Sequence, residues 1–174
     1  MLLGPLNLPD MASELRVDRI IPVNGVPTGG GGGIIQIVQD KNSTQSSTNS
    51  NTTWTQMGPT ATITPTSTSS KILICYQLHQ QNRTNGLHVL GRIYKDAANL
   101  TDIGLISFQG TADDNIQYLT GMWLDSPATT SSVTYDLRFK FASSNSGAFY
   151  VNHPESKGSE TTVYSMMTLM EVSG

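Results

Sequence analysis

The sequence predicts an all-β protein, a jelly-roll-like β-sandwich of about eight strands carried behind an extended N-terminal arm. Three observations lead there. Val133-Thr-Tyr-Asp-Leu-Arg-Phe-Lys-Phe141 alternates without a fault: Val133, Tyr135, Leu137, Phe139 and Phe141 point one way, Thr134, Asp136, Arg138 and Lys140 the other. Period two over that length marks a strand with one buried face. The corner that feeds it, Pro127-Ala-Thr-Thr-Ser131-Ser132, is echoed by Pro65-Thr-Ser-Thr-Ser69-Ser70 ahead of Lys71-Ile-Leu-Ile-Cys-Tyr-Gln-Leu78. Proline fixes φ and serine bonds nearby backbone, so each block reads as a turn entering a strand. No segment repeats with the 3.6-residue period of a helix, and many short strands with polar corners pack as a sandwich.

The arm comes first. Residues 1–33 hold scattered prolines, one strand-like piece at Leu15-Arg-Val-Asp-Arg-Ile-Ile21, and five consecutive glycines at 29–33. A phosphate-binding loop needs interspersed glycines, a lysine and a following helix. Here the glycines run into Ile34-Ile-Gln-Ile-Val38, so they read as a hinge or as a place where chains crowd together. Leu15, Val17, Ile20, Ile21 and Val23 are the apolar residues with which such an arm would dock. The opening nonapeptide has no basic start and is broken by Pro5 and Pro9, unlike a secretory signal.

The body, 34–174, reads as strands at 34–39, 52–57 with 60–64, 71–81, 87–95, 103–109, 115–125, 132–142, 148–152 and 161–172. Asn42–Asn51 is too polar to bury and is expected to be an exposed loop. Asn85-Gly86 signals a turn, which makes 71–95 a hairpin. The closing strand is apolar on both faces, Val163, Met167 and Leu169 on one and Tyr164, Met166, Met170 and Val172 on the other. A small sandwich has a single core, so the second face, Tyr164, Met166, Met170 and Val172, is expected to meet neighbouring subunits, a homotrimer being the natural closed form.

Composition excludes several classes. Only 13% of residues are charged and the net charge is −3, which leaves no basic footprint for nucleic acid. No apolar stretch approaches a membrane span of about 20 residues. Cys75 is the only cysteine; within a strand it is expected to be a small buried hydrophobe. No catalytic, cofactor or metal set stands out. Serines lack a base and an orienting group, the acids show no paired spacing, and Asp113-Asp114-Asn115 lacks the spacing of a calcium loop. His79 and His88 lie on the two arms of the expected hairpin and would sit opposite each other only with a turn longer than Asn85-Gly86. With no third ligand in view they read as polar side chains on a wet face. His153 carries no motif. The Asn-x-Ser/Thr triplets at Asn42, Asn51, Asn82 and Asn99 are what chance gives in a chain so rich in Asn and Thr. Of the aromatic residues, Trp123 has apolar neighbours and is expected to be buried. Trp54 and Tyr150 flank polar loops and, with Asn82, Arg83 and Asn85, are the candidates for contact with a receptor.

Ile63-Thr-Pro-Thr-Ser-Thr-Ser-Ser-Lys-Ile-Leu-Ile74, Trp123-Leu-Asp-Ser-Pro-Ala-Thr-Thr-Ser-Ser-Val-Thr-Tyr135 and Thr168-Leu-Met-Glu-Val172 resemble the tail-fibre-like and appendage structural proteins of tailed bacteriophages, the cyanophages especially. Leu15-Arg-Val-Asp-Arg-Ile-Ile-Pro-Val-Asn-Gly25 is similar to that family's entry segment, and Met11 to its start. The resemblance implies a virion protein on the particle surface, a trimeric sandwich with an arm that docks on other virion proteins. It leaves open whether the body faces host receptors or decorates the head; attachment to a host glycan or protein is the leading expectation. A head decoration, head fibre or tail-assembly protein without receptor binding is the alternative. A polysaccharide depolymerase is disfavoured, since no acids cluster along a groove.

Overall fold

The computed structural model describes residues 33–82, 87–108, 115–143, 147–154 and 162–174. The chain divides into two units, 1–31 and 32–174. The docking residues Leu15, Val17, Ile20, Ile21 and Val23 lie outside the described residues, as do Arg83 and Asn85.

Ten strands are described: β1 (Ile34–Asn42), β2 (Ser46–Thr48), β3 (Thr55–Ile63), β4 (Lys71–Asn82), β5 (Leu87–Lys95), β6 (Ala98–Phe108), β7 (Asn115–Asp125), β8 (Val133–Phe141), β9 (Phe149–Val151) and β10 (Ser165–Val172). They form two antiparallel sheets. One runs β1-β10-β4-β7, with the short β9 and β2 continuing along the far end of β4; the other runs β3-β8-β5-β6. Apart from the β5–β6 hairpin, each connection between consecutive long strands passes from one sheet to the other. Two four-stranded sheets wound in this order are a jelly roll, and the expected fold class holds.

Alternation decides what goes inside. The odd residues of β8, Val133 to Phe141, are all buried, and they meet Ile72, Ile74 and Leu78 of β4 and Met167 and Leu169 of β10. Phe149 of β9 packs against Phe139, ring centroids 5.3 Å apart. Each such side chain contributes roughly 1.5–3 kcal/mol when removed from water.

Polar groups lock one end of this core, on the two sides of Ile72. At one side, Asp125 of β7 accepts a hydrogen bond from the Tyr135 hydroxyl (2.8 Å) and pairs with Lys95 Nζ (3.0 Å), which ties the sheets together. Burial, then the Asp125 carboxylate, pushes the Tyr135 phenol far above its ordinary range. At the other, Glu171 is fully buried on the inner side of β10. It accepts hydrogen bonds from the Thr66 N–H and hydroxyl, each 2.7 Å, and from the Gln36 amide, so it holds the Thr64–Ser70 corner against the sheet.

The expected hairpin at 71–95 is not formed. β4 and β5 belong to different sheets, so they do not pair, and His79 and His88 do not face each other. An alternating strand that must bury a face pairs where core is available, and a local turn signal does not override that. The real hairpin is β5–β6, closed by Asp96-Ala97 with Lys95 opposite Ala98. Both loop residues have positive φ, 48° and 67°, the type I′ conformation that Asn-Gly usually supplies. Asp96 is held there by hydrogen bonds to Thr134, N–H to carbonyl and carboxylate to N–H, each 2.9 Å. Ala97 has no such support. Ala97→Gly is therefore expected to stabilise the fold by about 0.5–1 kcal/mol, measured as an upward shift of the denaturant midpoint.

Candidate interaction surfaces

The outer face of the β1-β10-β4-β7 sheet follows directly from strand register. Ile37, Met170, Leu73 and Leu124 stand in one row across all four strands; Gln39, Thr168, Cys75 and Met122 form the next; Lys41, Met166, Gln77 and Thr120 the third. Across these rows the only charge is Lys41, and its ammonium lies 3.6 Å over the Tyr164 ring. Met122 is 74% exposed, Ile37 59% and Leu124 50%. The sequence placed Met166, Met170 and Val172 on a second apolar face, and they stand on this one, half-buried, with exposed Tyr164 just ahead of their strand.

Two expectations are corrected on this sheet. Trp123 is 43% exposed instead of buried, because it sits on β7, which among the described strands pairs only with β4. Cys75 faces outward between Thr168 and Met122 and is half-buried, not part of the core.

Of the described receptor candidates, Asn82 and Tyr150 are neighbours where β4 pairs with β9, and Trp54 stands apart from them. Tyr150 lies outward at the far end of this same sheet, opposite Gln81 and edge-on to the His153 ring at 4.9 Å. Trp54 lies on the outer face of the other sheet. Asn82 ends β4. That other outer face carries side chains the sequence reading passed over. Arg92 stacks 4.2 Å from the Trp54 ring centroid, Lys140 lies 5.1 Å from it, and Arg138 stacks 4.1 Å from that of Tyr94. Arg138 is clamped by Asp136 at 2.8 and 3.1 Å, and Arg92 pairs with Asp102. The period-two reading of β8 put Arg138 and Lys140 on one face; their aromatic partners come from strands that only the fold makes adjacent.

Beside Tyr150, His79 is buried at 3% exposure, with its ring edge-on to Tyr118 at 5.4 Å. Burial, and then the charge of His153, hold its pKa below the ordinary value despite a raising backbone hydrogen bond. For Glu171, burial pushes the pKa up, but the interactions with Ser70, Gln36 and Thr66 together outweigh it, so the net shift is downward. Both groups have folded pKa values below their unfolded ones, 6.5 and 4.5. The unfolded chain then binds more protons, and stability is lost on acidification. Unfolding titrations are expected to show a decline starting just below pH 6.5, absent in His79→Gln, and a second decline below pH 4.5.

A polar cleft of about 240 Å³ opens between β1, β2 and β3, lined by Asp40, Asn42, Thr44, Ser46, Gln56 and Thr60 among others. Its single carboxylate, Asp40, accepts the Thr60 N–H at 2.9 Å. Among the described residues, no three His, Cys, Asp or Glu side chains come together as a metal site.

No protein-family model matches the chain, and no curated protein does. Solved structures resemble it in part. One of infectious bursal disease virus, Gx strain, aligns over 79% of this chain and 38% of its own at 11% identity, TM-score 0.39. The VP2 subviral particle of the same virus aligns over 87% and 44% at 12% identity, TM-score 0.37. Dimeric latent PorU from Porphyromonas gingivalis aligns over 86% and 14% at 8% identity, TM-score 0.37. The chain thus spans less than half the length of each of these neighbours.

Proposed function

We propose that this chain is a tail-fibre-like structural protein of a bacteriophage virion. Its sandwich forms a homotrimer through the outer β1-β10-β4-β7 face, residues 1–33 dock it on other virion proteins, and the body contacts the host surface. The single observation that carries the assembly step is the largely apolar face with Ile37, Met170, Leu73 and Leu124 in one row, its charges confined to Lys41 and Lys71 at its margins. Exposed apolar patches that size mark contact sites, and a face with so few charges meets a copy of itself with little repulsion. The β7 edge adds to the case. Among the described strands β7 pairs only with β4, and a long apolar edge strand left bare recruits other chains.

The face is finite. Four strands about 4.8 Å apart and some 27 Å long give on the order of 500 Å², against roughly 800 Å² per partner in a stable interface. Tyr118 and Tyr164, exposed around it, make up part of the difference. The virion role is supported by the jelly-roll order, a fold used by capsid and lectin domains, and by the sequence resemblance to phage appendage proteins. Attachment then works by multiplicity, weak contacts summed over several copies on one particle.

Sedimentation of the full chain tests the assembly step. A species of three times the 18.8 kDa chain mass is expected, falling to the single-chain mass in Met170→Glu/Leu124→Glu. A wild-type chain that stays single at micromolar concentration would contradict it.

A further inference from the structure

The outer face of the β3-β8-β5-β6 sheet spends energy on concentrating positive charge. Arg92 and Arg138 stand directly opposite each other across β5 and β8, and Lys140 follows Arg138 on the same face, beside Leu90. Like charges in that register repel. Three of the chain's ten Lys and Arg residues therefore crowd onto one patch of a protein whose net charge is −3. Asp102 and Asp136 offset two of the three; among the described residues Lys140 has no carboxylate in ion-pair range. Core packing does not require the cluster, since all three side chains point away from the core.

The arginines are also held still. Arg138 is forked onto Asp136 and stacked on Tyr94, and Arg92 is paired through Nε and stacked on Trp54. A guanidinium fixed in this way keeps N–H donors beyond those its carboxylate uses, and its ordering cost is already met before a ligand arrives. Trp54, half-buried, lies beside them.

We infer that this face binds an acidic polysaccharide, with sugar carboxylates seated between Lys140 and the Arg92 guanidinium and a pyranose ring against Trp54. A neutral glycan would leave the cationic cluster unanswered. Nucleic acid fits poorly with a chain whose charge is otherwise acidic. The site lies on the opposite outer face from the one assigned to trimer contacts, so several copies would present it together. The inference deepens the host-contact reading by naming the ligand class, and its chemistry can be tested on the isolated chain.

The test is titration calorimetry of the full chain with an oligogalacturonate and with a dextran of equal length. Saturable binding of the oligogalacturonate, at least about tenfold tighter than dextran, is expected, weakening as salt rises. Lys140→Gln should lower that affinity about tenfold with the denaturation midpoint unchanged, and Trp54→Ala should lower it for the same probe. Should either variant lose its fold, Arg92→Gln gives the same reading. Equal affinity for both glycans, absence of saturable binding, or an oligogalacturonate affinity indifferent to Lys140→Gln and Arg92→Gln would overturn the inference. Those results leave the virion reading standing, since that depends on where the protein sits in the particle.

Discussion

Gly58→Ala is expected to lower the stability of the sandwich by about 3 kcal/mol. Gly58 sits in the β3 bulge, where register with β8 slips between Gln56 and Thr60, and its φ is +84°. A side chain there is strained wherever it points. It also has no room: an added Cβ comes 2.6 Å from Leu78 Cδ2 and 3.5 Å from Val151 Cγ1, both deep in the core. Leu78 is fully buried and hemmed in, so it cannot swing aside without opening a void. The bulge bends β3 and keeps Met57 and Ala61 inward on either side of the irregularity, and Pro59 holds the backbone after it. Chemical denaturation of the variant measures the loss. A change under about 0.5 kcal/mol would mean that this bulge relaxes freely, contrary to the packing described.

Asp125→Ala is expected to cost about as much, some 3 kcal/mol, for a different reason. The carboxylate answers two groups at once, the fully buried Tyr135 hydroxyl and the Lys95 ammonium. Removing it leaves a buried hydroxyl with no acceptor and an amine, itself partly exposed, without its counter-charge. Asp125→Asn separates the two contributions, because an amide oxygen can still accept from Tyr135 but cannot neutralise Lys95. It should lose roughly half as much. Tyr135→Phe combined with Asp125→Ala should cost little beyond Asp125→Ala alone, the non-additivity of groups acting as one unit.

Much of this architecture is legible in the sequence because period two is a direct consequence of burying one face. The faultless alternation of Val133–Phe141 gives β8 to within a residue, and the proline-serine corners give the starts of β4 and β8. What sequence alone misjudges is partnership. Asn85-Gly86 carries hairpin-turn chemistry, yet the strands before and after it, β4 and β5, lie in different sheets. The true hairpin turns on Asp96-Ala97, where an alanine holds positive φ because the paired strands impose it. Trp123 sits among apolar neighbours along the chain, but burial depends on what lies across the sheet, and β7 is an edge.

The candidate surfaces divide the same way. Met166, Met170 and Val172 are visible in the sequence as a second apolar stripe on a strand whose other stripe, Met167 and Leu169, fills the core. Ile37, Leu73, Met122 and Leu124, which complete the face, come from three other strands and join it only through register. The stacking of Arg92 on Trp54 and of Arg138 on Tyr94 is invisible for the same reason. Trp54 was marked as a contact residue for lying beside a polar loop, whereas its cationic company is what gives it a chemical preference. His79 shows the converse: its polar type suggests a wet face, but Tyr118 lies against its ring and the residue is buried.

The account stands or falls on where this protein sits. Gold-labelled antibody against the 34–174 body, applied to purified virions and viewed in the electron microscope, tests that directly. Label at the distal end of the tail is the result expected of a trimeric attachment protein. Label spread over the head, or particles that carry none, would contradict it.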